Sequence, residues 1–290
     1  MAEPFGFLNI HKAQGMTSHD VVAKVRRGLK IKKVGHAGTL DPLATGVLVV
    51  CLGGATRLSE YVMQSTKRYR ARVYLGATTD TYDAEGEVQL RRDASYITRA
   101  DVESTLAPFL GDIQQIPPMY SAIKQGGRKL YDLARAGDVV EREPRAVRID
   151  SLEIMDWSPP EFTLDVTCSA GTYIRSLAYD LGESLGVGAH LSGLSRLASG
   201  RFKIEDALTL DDLLTAEDWM QFVIPPQTAL AGWPAVHLTA EYADHILHGR
   251  AIQYPDSQIT DLAFAYAPDG QLMAIVQAGD GLLRPHKVFL

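Results

Sequence analysis

The stretch Gly35–Gly53, "GHAGTLDPLATGVLVVCLG", is a glycine-rich loop that runs directly into an unbroken apolar segment. Glycine, Asp and Pro favour turns, whereas a short continuous run such as "VLVVCL" suits a strand buried on both faces. The loop carries a single acid, Asp41. It contains no G-K-[ST] and no G-x-G-x-x-G opening a helix, so it fails the test for a phosphate cradle. By itself, Asp41-Pro42 reads as a turn.

Strands and helices alternate around this segment. "FGFLNIH" reads as a first strand, and "TSHDVVAKVRRGL" as a helix capped by Thr17 or Ser18, with Val21, Val22, Val25 and Leu29 on one face. "KRYRARVYLG" alternates: Tyr69, Ala71, Val73 and Leu75 on one face, Arg68, Arg70, Arg72 and Tyr74 on the other. "TRADVESTLAPFL" and "TYIRSLAYDLGESLG" are amphipathic helices, and "EFTLDVTC" is an alternating strand. Residues 117–148 differ, with seven Lys/Arg, a Gly-Gly pair and three prolines; they read as an excursion with a short helix inside, and long excursions of this kind tend to be functional or mobile. "QFVIPP" and "GWP" mark a linker near 219–233. Beyond it, short apolar runs split by "PDG" and "GDG" turns indicate a small β-rich domain.

Composition narrows the class. At 290 residues the chain accommodates one large domain and one small one. Its longest apolar run is too short to span a bilayer, and its first ten residues lack the basic and apolar regions of a signal peptide. Two cysteines, Cys51 and Cys168, sit in apolar runs and read as buried thiols in a reducing, cytoplasmic compartment. The histidines are scattered and no metal-ligand cluster appears, so any chemistry must run on carboxylate, tyrosine and arginine. The net charge of −6 is unevenly spread: residues 1–80 hold 12 Lys/Arg against 5 Asp/Glu, and residues 151–225 hold 4 against 12. One end can therefore present a basic surface to a polyanion; two ordinary solvated faces explain the charge equally well.

Three residues sharpen the reading of Asp41. Tyr173 and Arg175, in "CSAGTYIRSLAYDLG", stand where a strand passes into a helix, at the rim of a sheet. An arginine at a helix start faces the unfavourable end of the dipole, so a carboxylate partner is expected there. Tyr69, on the apolar face of its strand, reads either as a core tyrosine or as a stacking platform for an unstacked base.

Here the chain resembles the bacterial tRNA pseudouridine synthases of the TruB type over nearly its whole length. "GHAGTLDPLATGVLVVCLG" matches the family's catalytic motif, "KRYRARVYLG" its K-x-Y strand, "IPPMYSAIKQGGRKLYDLARAG" its RNA-gripping insertion, and "CSAGTYIRSLAYDLG" its third motif. "LSGLSRLASGRF" follows where the family has a Leu-rich strand, and the tail resembles a small PUA-type RNA-binding domain. The resemblance implies a mixed α/β (α+β) fold: a central antiparallel sheet flanked by helices over residues 1–230, with the insertion near 117–148, then a PUA-like domain over 231–290. It implies isomerisation of a T-loop uridine, tRNA position 55, by base flipping. The resemblance assigns to Asp41 the carboxylate at C1′ of the sugar, as nucleophile or as stabiliser of developing positive charge, by direct attack or by way of a glycal. Glycines 35, 38 and 46 admit the nucleotide, Arg175 pairs with Asp41, and Tyr69 stacks on the uracil. By the same resemblance, His36 would fill the space the base leaves, Tyr173 would help line the pocket or take part in proton handling, Leu194 would wall the pocket, and Lys12, Lys124, Arg128 and Lys129 would contact the RNA. No cofactor or metal is implied, and the expected partner is tRNA alone, bound by a monomer with no membrane or protein partner.

Two departures stand out. His11 and Ala13 flank Lys12 where the family commonly shows Asp and Pro, and Ser195 stands where a second basic residue is common. Two rival readings stay open: a guide-dependent pseudouridine synthase, and a non-catalytic module that helps tRNA fold. The second role can also coexist with catalysis in one chain.

Overall fold

The computed structural model describes residues 4–254 and 259–289. The main sheet is laid down by β1 (Gly6–Lys12), β2 (Val34–His36), β3 (Thr45–Leu52), β4 (Lys67–Leu75), β7 (Gly111–Gln115), β10 (Arg145–Ser158), β11 (Glu161–Cys168), β12 (Ala189–Ser199) and β13 (Phe202–Lys203). Two small hairpins lie off it: β5 (Ala77–Thr79) with β6 (Val88–Arg91), and β8 (Lys124–Gln125) with β9 (Arg128–Lys129). The order is β1-β3-β12-β4-β11-β10-β7, with β2 on β3 and β13 on β12. The sheet is antiparallel except at one seam, where β12 meets β3 in parallel through Ser195↔Thr45 and Arg196↔Gly46. The loop carrying Asp41 enters β3 at that seam.

Helices cover one face. α1 (Ser18–Gly28) is fixed at its start by a capping box in which Thr17 and Asp20 satisfy each other's backbone N–H, and it buries Val21, Val22 and Val25. α5 (Ile174–Ser184) buries Ile174, Leu177 and Leu181, and is followed, just past its C-cap Leu185, by Gly186, whose φ of 74° suits that position. With the buried side of β4 (Tyr69, Ala71, Val73, Leu75), these form the main core. The helix expected in "TRADVESTLAPFL" is shorter: α3 (Arg99–Thr105) gives way at Pro108 to a 3₁₀ turn, Ala107–Phe109.

On the opposite face, Phe7, Val47, Val49 and Cys51 of β1 and β3 pack against the C-terminal unit through Phe264 and Ile275. The stretch read as a linker is docked too. α2 (Ser59–Met63) and α6 (Leu210–Thr215) lie on the main body, and Ile224 pairs with Phe7 before α7 (Pro226–Ala229) delivers Leu230 to the same core. The C-terminal sheet has the order β14 (Ala235–His237), β16 (Leu262–Tyr266), β17 (Leu272–Gly279), β18 (Leu282–Val288), β15 (Ile252–Gln253), with one helix, α8 (Ala240–Leu247), that its turn-rich sequence had not suggested. Leu290, at the end of the run "KVFL", lies outside the described residues.

The excursion is shorter than 117–148. Arg145 and Arg148 already belong to β10, where Arg148 pairs with Asp112 and Asp150. What remains is a hairpin turning on Gly126-Gly127 and then α4 (Leu130–Arg135), closed over its own small core of Met119, Leu130 and Leu133.

Candidate active site

The loop of Asp41 is held from several sides by polar groups. Ala44 N–H donates to Asp41 O at 3.0 Å, closing the turn that Asp-Pro favours. Buried Ser18, at the start of α1, donates its hydroxyl to Leu40 O (3.0 Å) and accepts from Leu40 N–H (2.8 Å). Lys12, fully buried, donates to Met16 O (2.6 Å), Ala13 O (3.0 Å) and Pro42 O (3.4 Å). Gly46 has φ 96°, and a Cβ there would stand 2.3 Å from Arg196 O, so both the turn and the close approach require glycine. Gly38, φ 103°, is likewise left-handed, but Gly35 is not: a Cβ there meets only Thr56 at an ordinary 3.6 Å.

Arg175 rises behind this loop. It is the second residue of α5, with a side chain only 6% exposed, and it forms an ion pair with Asp41 Oδ2 at 3.0 Å. Its other contacts are Asp83 Oδ2 (3.6 Å), Thr81 O (3.1 Å) and Tyr120 O (2.8 Å). Two carboxylates and two carbonyls thus offset the poor placement of a cation at a helix start. Asp41 itself is 41% exposed, so one side of its carboxylate is fixed by the arginine and the other faces outward. Together with Leu43, Ala44, Asp83, Leu191 and Leu194, the pair lines a narrow recess.

Tyr69 stands in β4 opposite Arg196, 8% exposed. Burial pushes its hydroxyl up, the nearby Arg196 opposes that, and the charge of Asp41 adds to it. Tyr173 is the residue before α5. Burial raises its hydroxyl, and Arg175 and Asp41 both act on it. Its backbone is clamped by the buried side chain of Gln115, which accepts from Tyr173 N–H (2.7 Å) and donates to Tyr173 O (3.0 Å). Asp41, Arg175, Tyr69, Tyr173 and Leu194 are therefore brought together.

Other expected residues lie elsewhere. Lys12 sits beneath the loop, fully buried, where its carbonyl partners make it a brace for the loop; burial lowers it to about 8, against the pull of Asp41 and Glu85. His36, half-buried in β2, packs edge-to-face on His19 (5.5 Å), and burial with His19 and Arg196 nearby favours its neutral ring. Lys124, Arg128 and Lys129 are on the outlying hairpin, where Arg128 pairs with Asp138 (3.8 Å) and Lys129 donates to the Tyr131 hydroxyl (2.9 Å). The arginine face of β4 is on the far side of the sheet from Tyr69. Arg68 makes a bidentate pair with Asp165 (2.7 and 3.1 Å), and Arg72 pairs with Glu161 (3.7 Å). The stripe faces away from the tyrosine, as the alternation of the strand requires.

Asp83 and Glu85 escaped the reading of the sequence. Both come from the connection between β5 and β6, where Tyr82 adopts φ 63° and stacks on Tyr179 at 4.1 Å. The only sequence signal was a polar "TDTYDAEG" turn. Burial, Asp83 and Asp41 all raise the Glu85 carboxyl. Among the described residues no His, Cys, Asp or Glu group has the arrangement to hold a metal ion.

Residues 26–174 match the model of the TruB family pseudouridylate synthase N-terminal domain, and residues 175–230 that of the tRNA pseudouridylate synthase B C-terminal domain. The chain belongs to the TruB family. Residues 233–290 match a third model, the C-terminal domain of tRNA pseudouridine synthase II. The enzyme is thus a tRNA pseudouridine synthase, an isomerase. It is similar to proteins named tRNA pseudouridine synthase B: 51% identical to that of Symbiobacterium thermophilum over 86% of this chain and 84% of the relative. Identity to that of Dehalococcoides mccartyi strain BAV1 is 44%, over 98% and 96%. Among solved structures, a Cbf5-Nop10-Gar1 complex gives a TM-score of 0.74 at 28% identity, covering 99% of this chain and 85% of that one. An H/ACA RNP bound to a substrate RNA containing 2′-deoxyuridine gives 0.73 at 27%, over 99% and 85%. Among the described residues no helix is long and apolar enough to cross a membrane.

Proposed function

We propose that this enzyme converts the uridine at T-loop position 55 of tRNA into pseudouridine, with Asp41 as the catalytic carboxylate. The observation that carries the reading is the 3.0 Å pair between buried Arg175 and half-exposed Asp41 at the mouth of a recess walled by Leu191 and Leu194. A T-loop uridine is inaccessible in folded tRNA and must be flipped out to reach that carboxylate. The reaction breaks the bond from N1 to C1′, turns the base, and joins C5 to C1′; the proton lost from C5 is matched by one gained at N1. Attack at C1′ and removal of the 2′ proton toward a glycal both begin from the carboxylate that Arg175 holds in place. Tyr69 and Tyr173 stand as the aromatic surface for the base, with hydroxyls that burial keeps protonated.

The reading extends to a stand-alone, monomeric enzyme working on tRNA without a guide. Its support is that identity to the tRNA pseudouridine synthase B proteins, 44–51%, exceeds the 27–28% to the H/ACA structures. The test is nucleoside analysis of T-arm RNA after incubation with pure protein. Pseudouridine should form with the wild type and fall about 10⁴-fold with Asp41→Asn, which keeps size and removes charge. Product from the variant at the wild-type rate would move the chemistry to another residue, and no product from the wild type without added guide RNA would favour the guide-dependent rival.

A further inference from the structure

Arg196 had no part in the reading of the sequence, yet it is among the largest fully buried side chains of the protein, 1% exposed, in the strand at the parallel seam. None of the ion pairs among the described residues involves it. Its guanidinium instead donates to three carbonyls: Nε to Val47 O (2.7 Å), Nη1 to Thr39 O (3.3 Å) and Nη2 to Gly38 O (3.1 Å). Gly38 and Thr39 precede Asp41 and Val47 follows it, so one side chain grips the loop where it leaves the sheet and where it returns. The backbone of Arg196 takes part as well, paired with Gly46 on one side and with Tyr69 on the other.

A buried cation without a carboxylate is costly, and an apolar side chain of similar length would fill the same space without that penalty. What only arginine offers is a rigid planar fork whose N–H groups can satisfy several fixed acceptors at once. The three acceptors belong to the Asp41 loop, and the residue opposite on β4 is Tyr69. Cross-strand partners project to the same side of a sheet, which places guanidinium and phenol together. The charge is felt there: it opposes protonation of Lys12, Lys67 and His36, and it counters the effect of burial on Tyr69.

We propose that Arg196 is a positioning residue of this site, fixing the Asp41 loop at both ends and holding it in register with Tyr69. The proposal rests on the assignment of Asp41 above. It is tested with full-length Arg196→Met and Arg196→Lys, at a temperature where each is folded by circular dichroism. Single-turnover pseudouridine formation at saturating T-arm RNA, RNA affinity and hydrogen exchange are measured on the same preparations. Misplacing a reacting group by about 1 Å costs on the order of 100-fold, so Arg196→Met should lose about that factor in rate and less than about threefold in affinity. Faster exchange should be confined to residues 37–47. Lysine keeps the charge but not the fork, so Arg196→Lys should fall between, and it carries the test alone if the methionine variant does not fold. A wild-type rate in the folded variants overturns the proposal, as does a loss of protection spread over the whole domain with a rate loss equal to the unfolded fraction. Asp41→Asn in the same assay separates the two ideas. Its inactivity beside fully active Arg196 variants defeats only the role of Arg196, and its activity defeats the site.

Discussion

In the loop 35–46, the side chains that hold the backbone are sealed from solvent: Lys12 at 0%, Ser18 at 1% and Arg196 at 1% exposure. In the insertion, Lys124 and Arg128 stand in solvent on a two-stranded hairpin, over a core in which only Met119, Leu130 and Leu133 are buried. The first region forgoes adaptability: each anchor is a buried polar group that must keep its partners. The second has few buried contacts and opens at small cost. The two meet at Arg175, which holds Asp41 with one hand and the carbonyl of Tyr120, at the root of the insertion, with the other. The contrast separates their effects: damage to the loop and its supports should appear in rate, and damage to the insertion in affinity.

Arg175→Met tests the junction and should have the largest effect of those that follow. Asp41 and Asp83 lose their cation, and Thr81 O and Tyr120 O lose a donor. Single-turnover rate should fall by about 10²–10³-fold, because the carboxylate is no longer held in place. Asp83 is also left nearly unexposed and without its cation, which costs about 3–5 kcal/mol. Denaturant unfolding checks the second figure. Full stability in the variant would mean that Asp83 is satisfied by Thr81 and the backbone alone.

Tyr69 comes next. Tyr69→Phe keeps the ring and should bind RNA within about threefold of wild type, while losing rate if the hydroxyl moves a proton. Tyr69→Ala should lose stacking as well, about 1–3 kcal/mol per base, and should destabilise the fold because the ring belongs to the main core. A fully active Phe variant would reduce Tyr69 to a platform.

The sequence made some of this legible and hid the rest for physical reasons. Alternation in "KRYRARVYLG" told the two faces of β4 apart, because side chains on a strand must alternate. It did not tell which face meets substrate: the arginines are taken up by Asp165 and Glu161 from the neighbouring strand, a register no local pattern encodes. That Arg175 needs an acid was legible from its place at a helix start, and the resemblance pointed to Asp41 as that acid. Asp83 and Arg196 were not. Asp83 lies 42 residues from Asp41 in the chain, and Arg196 looks like any polar residue in a mixed strand until the sheet closes around it.

The supports of the loop also predict a dependence on pH. Burial lowers Lys12 and Lys67 from 10.5 to about 8, and neither has an ion pair at 4.0 Å or less among the described residues. Between about pH 8 and 10.5 the unfolded chain therefore binds more protons than the native one, and stability rises with pH. Each lysine contributes up to about 1.4 kcal/mol per pH unit in that window. Denaturant melts at pH 7.5, 8.5 and 9.5 measure the slope, staying below the range where tyrosines ionise. A flat or falling profile would mean that these lysines are better solvated than their burial indicates.

The smallest effect should come from the insertion, and it should differ in kind. In Lys124→Ala/Arg128→Ala/Lys129→Ala, no group within reach of Asp41 changes. Arg128 now pairs with exposed Asp138, and Lys129 lies over the Tyr131 ring and donates to its hydroxyl. Exposed pairs are worth little, so RNA phosphates can displace them. We expect the hairpin to move against bound RNA, with each phosphate contact releasing counterions. The dependence of log affinity on log salt should therefore flatten by about 0.7–0.9 per contact removed, or about 1.5 if Lys124 and Arg128 both reach phosphate. Lys129, already held by Tyr131, should add the least. Single-turnover rate at saturating RNA should stay within about twofold, because Arg175 keeps its carbonyl partner at Tyr120. Equal salt slopes for the variant and the wild type would mean that these side chains only solvate the hairpin. A rate loss at saturation would mean that the insertion, through Tyr120, helps set the position of Arg175.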